Sequence, residues 1–220
     1  MPNSQLTYFV IAISSVSGGG KTTLVHKTAE RLNASVLLFD DYRTVSQHPH
    51  TQQWLDGGCD IDEWQTPQFA RDVAALKRGE PVTLPESGRI VQPTEFIVIE
   101  EPMGRARAEM APHIDFVAVI DTPLEIALAR KVKRDASYMT VDDIEHATKE
   151  QLAESLGRLT AYLQGFLGHY LRASRWLYIA VQEQAIASCD LVLDGELSAD
   201  ELAAQLVAAA KSARDAPSGQ

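Results

Sequence analysis

Between a β-branched, aromatic run and an amphipathic one, the chain reads Ser14-Ser15-Val16-Ser17-Gly18-Gly19-Gly20-Lys21-Thr22-Thr23. The run before it, Thr7 to Ser14 (TYFVIAIS), predicts a buried strand. After it, Leu24, Val25, Thr28 and Leu32 recur at helical spacing and predict a helix from Lys21 to Leu32. Three consecutive glycines between a strand and a helix let successive backbone N–H groups turn toward one anion. The helix adds its positive N-terminal end. The stretch fits G-x-x-x-x-G-K-[ST], with Gly20, Lys21 and Thr22 in its last three places and Ser15 where the first glycine would stand.

In that pattern Ser17, Gly18, Gly19, Gly20 and Thr23 wrap the phosphates of a nucleoside triphosphate. Lys21 reaches the β and γ phosphates, and the Thr22 hydroxyl ligates Mg²⁺. The expected donor is ATP or another nucleoside triphosphate.

Further strands are predicted at Ser35–Phe39, Glu95–Ile99, Ile114–Ile120 and Asp190–Leu193, with helices between them. Residues 43–65 are polar and rich in His, Gly and Asp, and read as loop. Thr66 is expected to cap a helix that Pro67 opens and Gly79 ends. Thr122-Pro123-Leu124-Glu125 and Ser198 to Glu201 read as capping boxes. Val141 to about Arg172 is helix-forming, with Gly157, Gly165 and Gly168 expected to divide it, and Arg175 to Ser188 is a further helix. Alternating strands and helices imply a mainly parallel five-stranded sheet covered on both faces. Ligands of such sheets bind beyond the carboxyl ends of the strands. Asp40, Glu100 and the glycine loop all fall at such ends.

The chain of 220 residues suits one domain, 1–215, with a helical lid at about 130–174 and a frayed tail at 216–220. No apolar stretch approaches the ~20 residues of a membrane span. Met1 to Thr7 lacks the basic start of a signal peptide. Cys59 and Cys189 match no metal spacing and read as reduced thiols of a cytoplasmic protein. A net charge of −10 without basic runs argues against a nucleic acid partner and leaves a small molecule as the expected one. His48 and His50 lack a third metal ligand, and Asp56, Asp60, Asp62 and Glu63 lack Ca²⁺-loop spacing.

Four segments resemble the uridine kinase-like family of P-loop kinases, which includes phosphoribulokinase and nicotinamide riboside kinase. They are Ile13 to Leu24, Leu38-Phe39-Asp40-Asp41-Tyr42, Ala75 to Val82, and Asp121-Thr122-Pro123 with Leu128 to Asp135. The likeness covers about 7–135 and partly returns at Cys189 to Gly195. It implies a P-loop NTPase fold with a helical lid, and a Mg²⁺-dependent transfer of a phosphoryl group to a hydroxyl.

The resemblance also implies roles. Asp40 matches the carboxylate that takes the proton of the attacking hydroxyl and lies near Mg²⁺. Glu100 matches the metal-side acid after the third strand, with Glu101 the alternative. Arg130 and Arg134, one helical turn apart, would close over the phosphates. Tyr42, Trp64, Arg105 and Asp62 are the expected substrate contacts. Gln65 stands where the family has a sugar-binding Asp, so Asp62 or Glu63 would have to replace it.

The expected acceptor is a nucleoside- or sugar-like metabolite, uncharged or singly acidic, because the loop from Trp54 to Gln65 holds four carboxylates and no Lys or Arg. Two other readings compete. A nucleoside monophosphate kinase would need a basic acceptor site, which only Arg105 and Arg107 could supply. A nucleotide-binding regulatory protein with weak hydrolysis would have no use for a base at Asp40.

Overall fold

A computed structural model of the chain describes residues 7–141 and 144–216. The expectations for residues 1–6, 142–143 (within the expected helix-forming stretch and lid) and 217–220 lie outside it. In chain order its elements are β1 (Phe9–Ser14), α1 (Lys21–Leu32), β2 (Ser35–Leu37), α2 (Thr51–Asp56), α3 (Pro67–Lys77), β3 (Val82–Thr83), β4 (Ile90–Val91), β5 (Phe96–Glu100), β6 (Phe116–Asp121), α4 (Leu124–Ser137), α5 (Lys149–His169), α6 (Arg175–Ala187), β7 (Leu191–Asp194) and α7 (Ala199–Asp215).

The main sheet has five strands in the order β2-β5-β1-β6-β7, all parallel. Side chains alternate across it. Val10 and Ala12 of β1 pack with Phe69, Val73 and Leu76 of α3. Ile11 and Ile13 pack on the other face with Leu24 and Val25 of α1 and Leu202 and Leu206 of α7. Both faces are therefore covered, as a sheet of continuous apolar runs requires. This is the P-loop NTPase fold that the resemblance implied. β3 and β4 form a separate antiparallel pair, Val82 with Val91 and Thr83 with Ile90, too short for any periodicity to announce. Among the described residues, no helix is long and apolar enough to cross a membrane.

Several local expectations are corrected. Residues 43–65 are not simple loop: 3₁₀ turns at Phe39–Val45 and Ile61–Glu63 flank α2. Their irregularly spaced apolar residues, Trp54 and Ile61, find Met103, Leu177 and Val181 as partners far along the chain. Thr66 precedes α3 but does not cap it with its side chain. Its hydroxyl donates to Glu109 Oε1 at 3.0 Å and accepts from Arg107 Nη1 at 2.7 Å.

Thr122 forms no capping box either. Its hydroxyl donates to the Gly19 carbonyl at 3.1 Å, and Pro123 occupies the N-cap position of α4. The Ser198–Glu201 capping box does form. Gly157, Gly165 and Gly168 lie inside one unbroken α5, and the division comes at a π turn, Tyr170–Ser174. α7 runs to Asp215, the expected end of the domain.

Candidate active site

β1 is the central strand, and the glycine loop leaves its carboxyl end. Gly18 and Gly20 adopt left-handed backbone angles, φ 86° and 101°. A Cβ on Gly18 would lie 2.2 Å from the Ala127 carbonyl oxygen, and one on Gly19 would lie 1.9 Å from Ser15 Oγ. Ser15, in the place of the first glycine, is thus packed into the loop, and its hydroxyl donates to the Ile120 carbonyl at 2.9 Å. Gly20 stands at the N-cap of α1 without a side-chain cap, which leaves that helix end to an anion.

Parallel pairing aligns Ile13 of β1 with Glu100 of β5, and this sets Glu100 beside the loop. The Thr22 hydroxyl donates to Glu100 Oε2 at 2.8 Å, and Lys21 Nζ lies 3.9 Å from Glu100 Oε1. Lys21 Nζ donates to the Val16 carbonyl at 3.1 Å. Burial lowers the pKa of the Lys21 ammonium. The Glu100 and Asp40 charges oppose that shift, and Arg134 adds to it.

A cavity of about 440 Å³ opens over the loop. Ser17, Gly18, Gly20, Lys21, Thr22 and Thr23 line its floor, with Asp40 and Glu100 also exposed to it. Gly19 is not a lining residue, because its carbonyl faces Thr122. Arg130 and Arg134 of α4 reach the same cavity. Both Nη atoms of Arg130 donate to the Gly195 carbonyl at 3.2 Å, and Arg134 Nε donates to Asp135 Oδ1 at 3.1 Å. Asp135 also accepts from Lys131 and from Tyr162, each at 2.7 Å, and so ties α5 to α4.

Other expected substrate residues stand elsewhere. Tyr42 is fully buried and donates to Asp72 Oδ2 at 2.8 Å, so it belongs to the core. Asp62 does not line the cavity. Its carboxylate accepts from the Ala108 N–H at 2.7 Å and fastens the loop to the segment after β5. Arg105 is held by the carbonyls of Ile114, Asp115 and Ser188 and by Asp190 Oδ2 at 2.8 Å, so no acceptor group can claim it. Of the expected substrate contacts, only Trp64 lines the cavity. None of the four carboxylates between Trp54 and Gln65 does so. Asp60 caps its own turn at Asp62 N, and Asp56 accepts from Gln52. These acids are therefore not placed to recognise acceptor hydroxyls in this cavity, contrary to expectation.

Glu101 is distinguished from Glu100 by its partner. Its carboxylate and the Arg107 guanidinium are both fully buried and meet at 2.5 Å. Full burial pushes the Glu101 carboxyl up, and Arg107 pulls it back. Arg107 also donates to the Trp64 carbonyl at 2.7 Å and to Glu109 at 2.8 Å, and sits 5.9 Å from the Phe39 ring centre. This buried network links the segment after Glu100 to the residue before Asp40.

The sequence reading missed Phe39, Met103, Leu177, Tyr178 and Val181, which also line the cavity. Leu177 and Val181 are one helical turn apart on α6, a spacing that reads equally well as a core stripe.

Fold and site together define a P-loop kinase. No protein-family model matches the chain. The uridine kinase of Borrelia duttonii (strain Ly) is 31% identical over 142 residues, 58% of this chain and 68% of that protein. The uridine kinase of Borrelia garinii subsp. bavariensis is 27% identical over 196 residues, 84% of this chain and 85% of that one. A possible uridine kinase from Bacillus stearothermophilus superposes with a TM-score of 0.47 at 21% identity, covering 88% and 92% of the two chains. The chain belongs to the uridine kinase-like family of P-loop kinases, and is with them a phosphotransferase with an alcohol group as acceptor.

Proposed function

We propose that this protein transfers the γ-phosphoryl group of ATP, held with Mg²⁺, to a hydroxyl of a small metabolite. The observation that carries this reading is that one cavity is lined at once by Lys21, Thr22, Asp40, Glu100, Arg130 and Arg134. Mg²⁺ takes oxygen ligands and binds through one or two protein groups plus substrate phosphates. The Thr22 hydroxyl and the Glu100 carboxylate, 2.8 Å apart, are donors of that kind, and Asp40 borders the same space. When bound, the ion would neutralise charge between the β and γ phosphates.

The chain's own groups divide the remaining work. Lys21 binds the triphosphate and offsets its charge. Asp40 accepts the proton as the acceptor oxygen bonds to the γ phosphorus and the bond to the β-phosphate oxygen breaks. Arg130 and Arg134 stabilise the charge that develops on the transferred group. An acceptor phosphate, as in a nucleoside monophosphate, would need cations of its own. Arg105 and Arg107 are engaged elsewhere, which favours the hydroxyl.

Two substitutions test the carboxylates. Asp40→Asn should lower kcat at least a hundredfold, the scale of general-base catalysis, while leaving ATP affinity within about threefold. Glu100→Gln should raise the Mg²⁺ concentration for half-maximal rate. Wild-type behaviour of both variants across a Mg²⁺ titration would remove both assignments.

The segment 130–174 is proposed to close as a lid. Within it, Tyr162 of α5 donates to Asp135 of α4 at 2.7 Å, which couples the two helices of the segment, and Arg130 and Arg134 of α4 border the cavity. Amide exchange there should slow when a non-hydrolysable ATP analogue and an acceptor bind together. Unchanged exchange at demonstrated saturation would mean a static scaffold.

A further inference from the structure

Asp40 borders the cavity, yet among the described residues none hydrogen-bonds or forms an ion pair with its carboxylate. Its place is therefore set by its backbone, the 3₁₀ turn Phe39–Val45 that follows β2. The Asp41 N–H closes the start of that turn on the Leu38 carbonyl at 3.1 Å.

Both flanks of Asp40 rest on α3. Phe39 meets the Phe69 ring edge-on, ring centres 6.3 Å apart, and Tyr42 packs on the same ring at 4.8 Å. Such apolar contact grips without direction. Direction comes from the Tyr42 hydroxyl, which donates to Asp72 Oδ2 at 2.8 Å, both residues being buried. Burial and Asp72 raise the Tyr42 pKa, so the phenol keeps its proton and stays the donor. Gln68 Nε2 donates to Asp72 Oδ1 at 2.7 Å. Among the described residues, no cation pairs with Asp72. A carboxylate buried without a counter-ion costs stability, and an apolar pair of similar shape would fill this space at less cost. Packing alone does not account for the polar pair; orientation of the turn does.

We propose that Tyr42 and Asp72 are positioning residues of the reaction: their hydrogen bond fixes the turn on α3 and so sets where the Asp40 carboxylate stands. The inference rests on the reading of Asp40 as the base that takes the acceptor's proton. A displacement of about 1 Å at a reacting group can cost about a hundredfold in rate.

Two variants of the full chain separate orientation from packing. Tyr42→Phe keeps the ring and removes the bond, which leaves the Asp72 carboxylate short of a donor. Tyr42→Phe/Asp72→Leu removes both partners and the buried charge with them. Three quantities are measured: the urea midpoint, amide exchange at Asp41, and ADP release from Mg-ATP. Uridine, an uncharged ribonucleoside, is the probe acceptor, and water alone is the second. Tyr42→Phe should lower the midpoint, speed exchange at Asp41 and lower kcat about tenfold or more, with ATP affinity within about threefold. In the double variant the midpoint should return toward wild type while exchange stays fast and kcat stays low. If Tyr42→Phe does not fold, the double variant carries the test.

Added to Asp40→Asn, the double variant should lower kcat by no more than about twofold further, because it acts through Asp40. Recovery of kcat along with stability, a full additional loss in the Asp40→Asn background, or wild-type exchange at Asp41 would each overturn the proposal. The exchange measurement needs no acceptor, so it decides whether the pair fixes the turn whatever alcohol the enzyme takes. A wild-type kcat in Asp40→Asn alone would instead overturn the base reading, and the positioning role with it.

Discussion

Lys21→Ala is expected to lower turnover roughly a thousandfold, equivalent to about 4 kcal/mol of transition-state stabilisation. Lys21 is the cation at the helix end of the glycine loop, largely covered and 3.9 Å from Glu100. Its side chain is only 10% exposed, so its charge is less screened than that of a surface lysine. The stability of the fold should change little. The side chain's one hydrogen bond among those described is to the Val16 carbonyl, and its removal relieves the cost of burying an ammonium. The measurement is ADP release with an accepted alcohol, alongside circular dichroism. Turnover within tenfold of wild type, in a folded variant, would sink the phosphate-loop assignment.

Arg107→Ala should cost stability rather than chemistry, about 3–5 kcal/mol. The substitution leaves the Glu101 carboxylate fully buried without its counter-charge. It also removes the donor shared by the Trp64 carbonyl, Thr66 and Glu109. The sign of the pH dependence follows. Burial already raises the Glu101 pKa, and the loss of Arg107 removes the main opposing charge. Above the ordinary glutamate range, the folded variant then holds a proton that the unfolded chain releases. Its stability should therefore fall as pH rises through that window, and recover toward acid. Urea unfolding at several pH values reads this directly. The double variant Glu101→Leu/Arg107→Leu should lose less than Arg107→Ala, because no charge is left unpaired. An Arg107→Ala midpoint equal to that of wild type, with no pH slope, would show that the pair carries no such weight.

These two residues differ in how early they become visible. Lys21 is legible from the chain because everything it needs is local. A strand, three glycines, a lysine and a helix lie within a few residues of one another, and backbone sterics make that order bend around an anion. Asp40 and Glu100 are legible for a related reason. Strands end where apolar runs end, and parallel sheets gather their strand ends on one side. α1 and the capping box of α7 likewise follow from short-range periodicity and from side chains that bond within one turn.

Tertiary structure decided the rest, because it settles competition among partners distant in sequence. Glu100 and Glu101 are neighbours with the same chemistry. Only the pairing of β5 with β1 sends one to Thr22, while the other meets Arg107. Thr66 and Thr122 had the local means to cap their helices, but Arg107 and Glu109 claimed the first and the Gly19 carbonyl the second. Arg105 could not be told from a substrate-binding arginine until carbonyls of three residues and Asp190 closed around it. The lining of the cavity joins Phe39 and Trp64 to Leu177 and Val181 of α6, well over a hundred residues later. Hydrophobic contact has no direction and no sequence spacing, so a stripe that faces a cavity reads the same as one that faces the core.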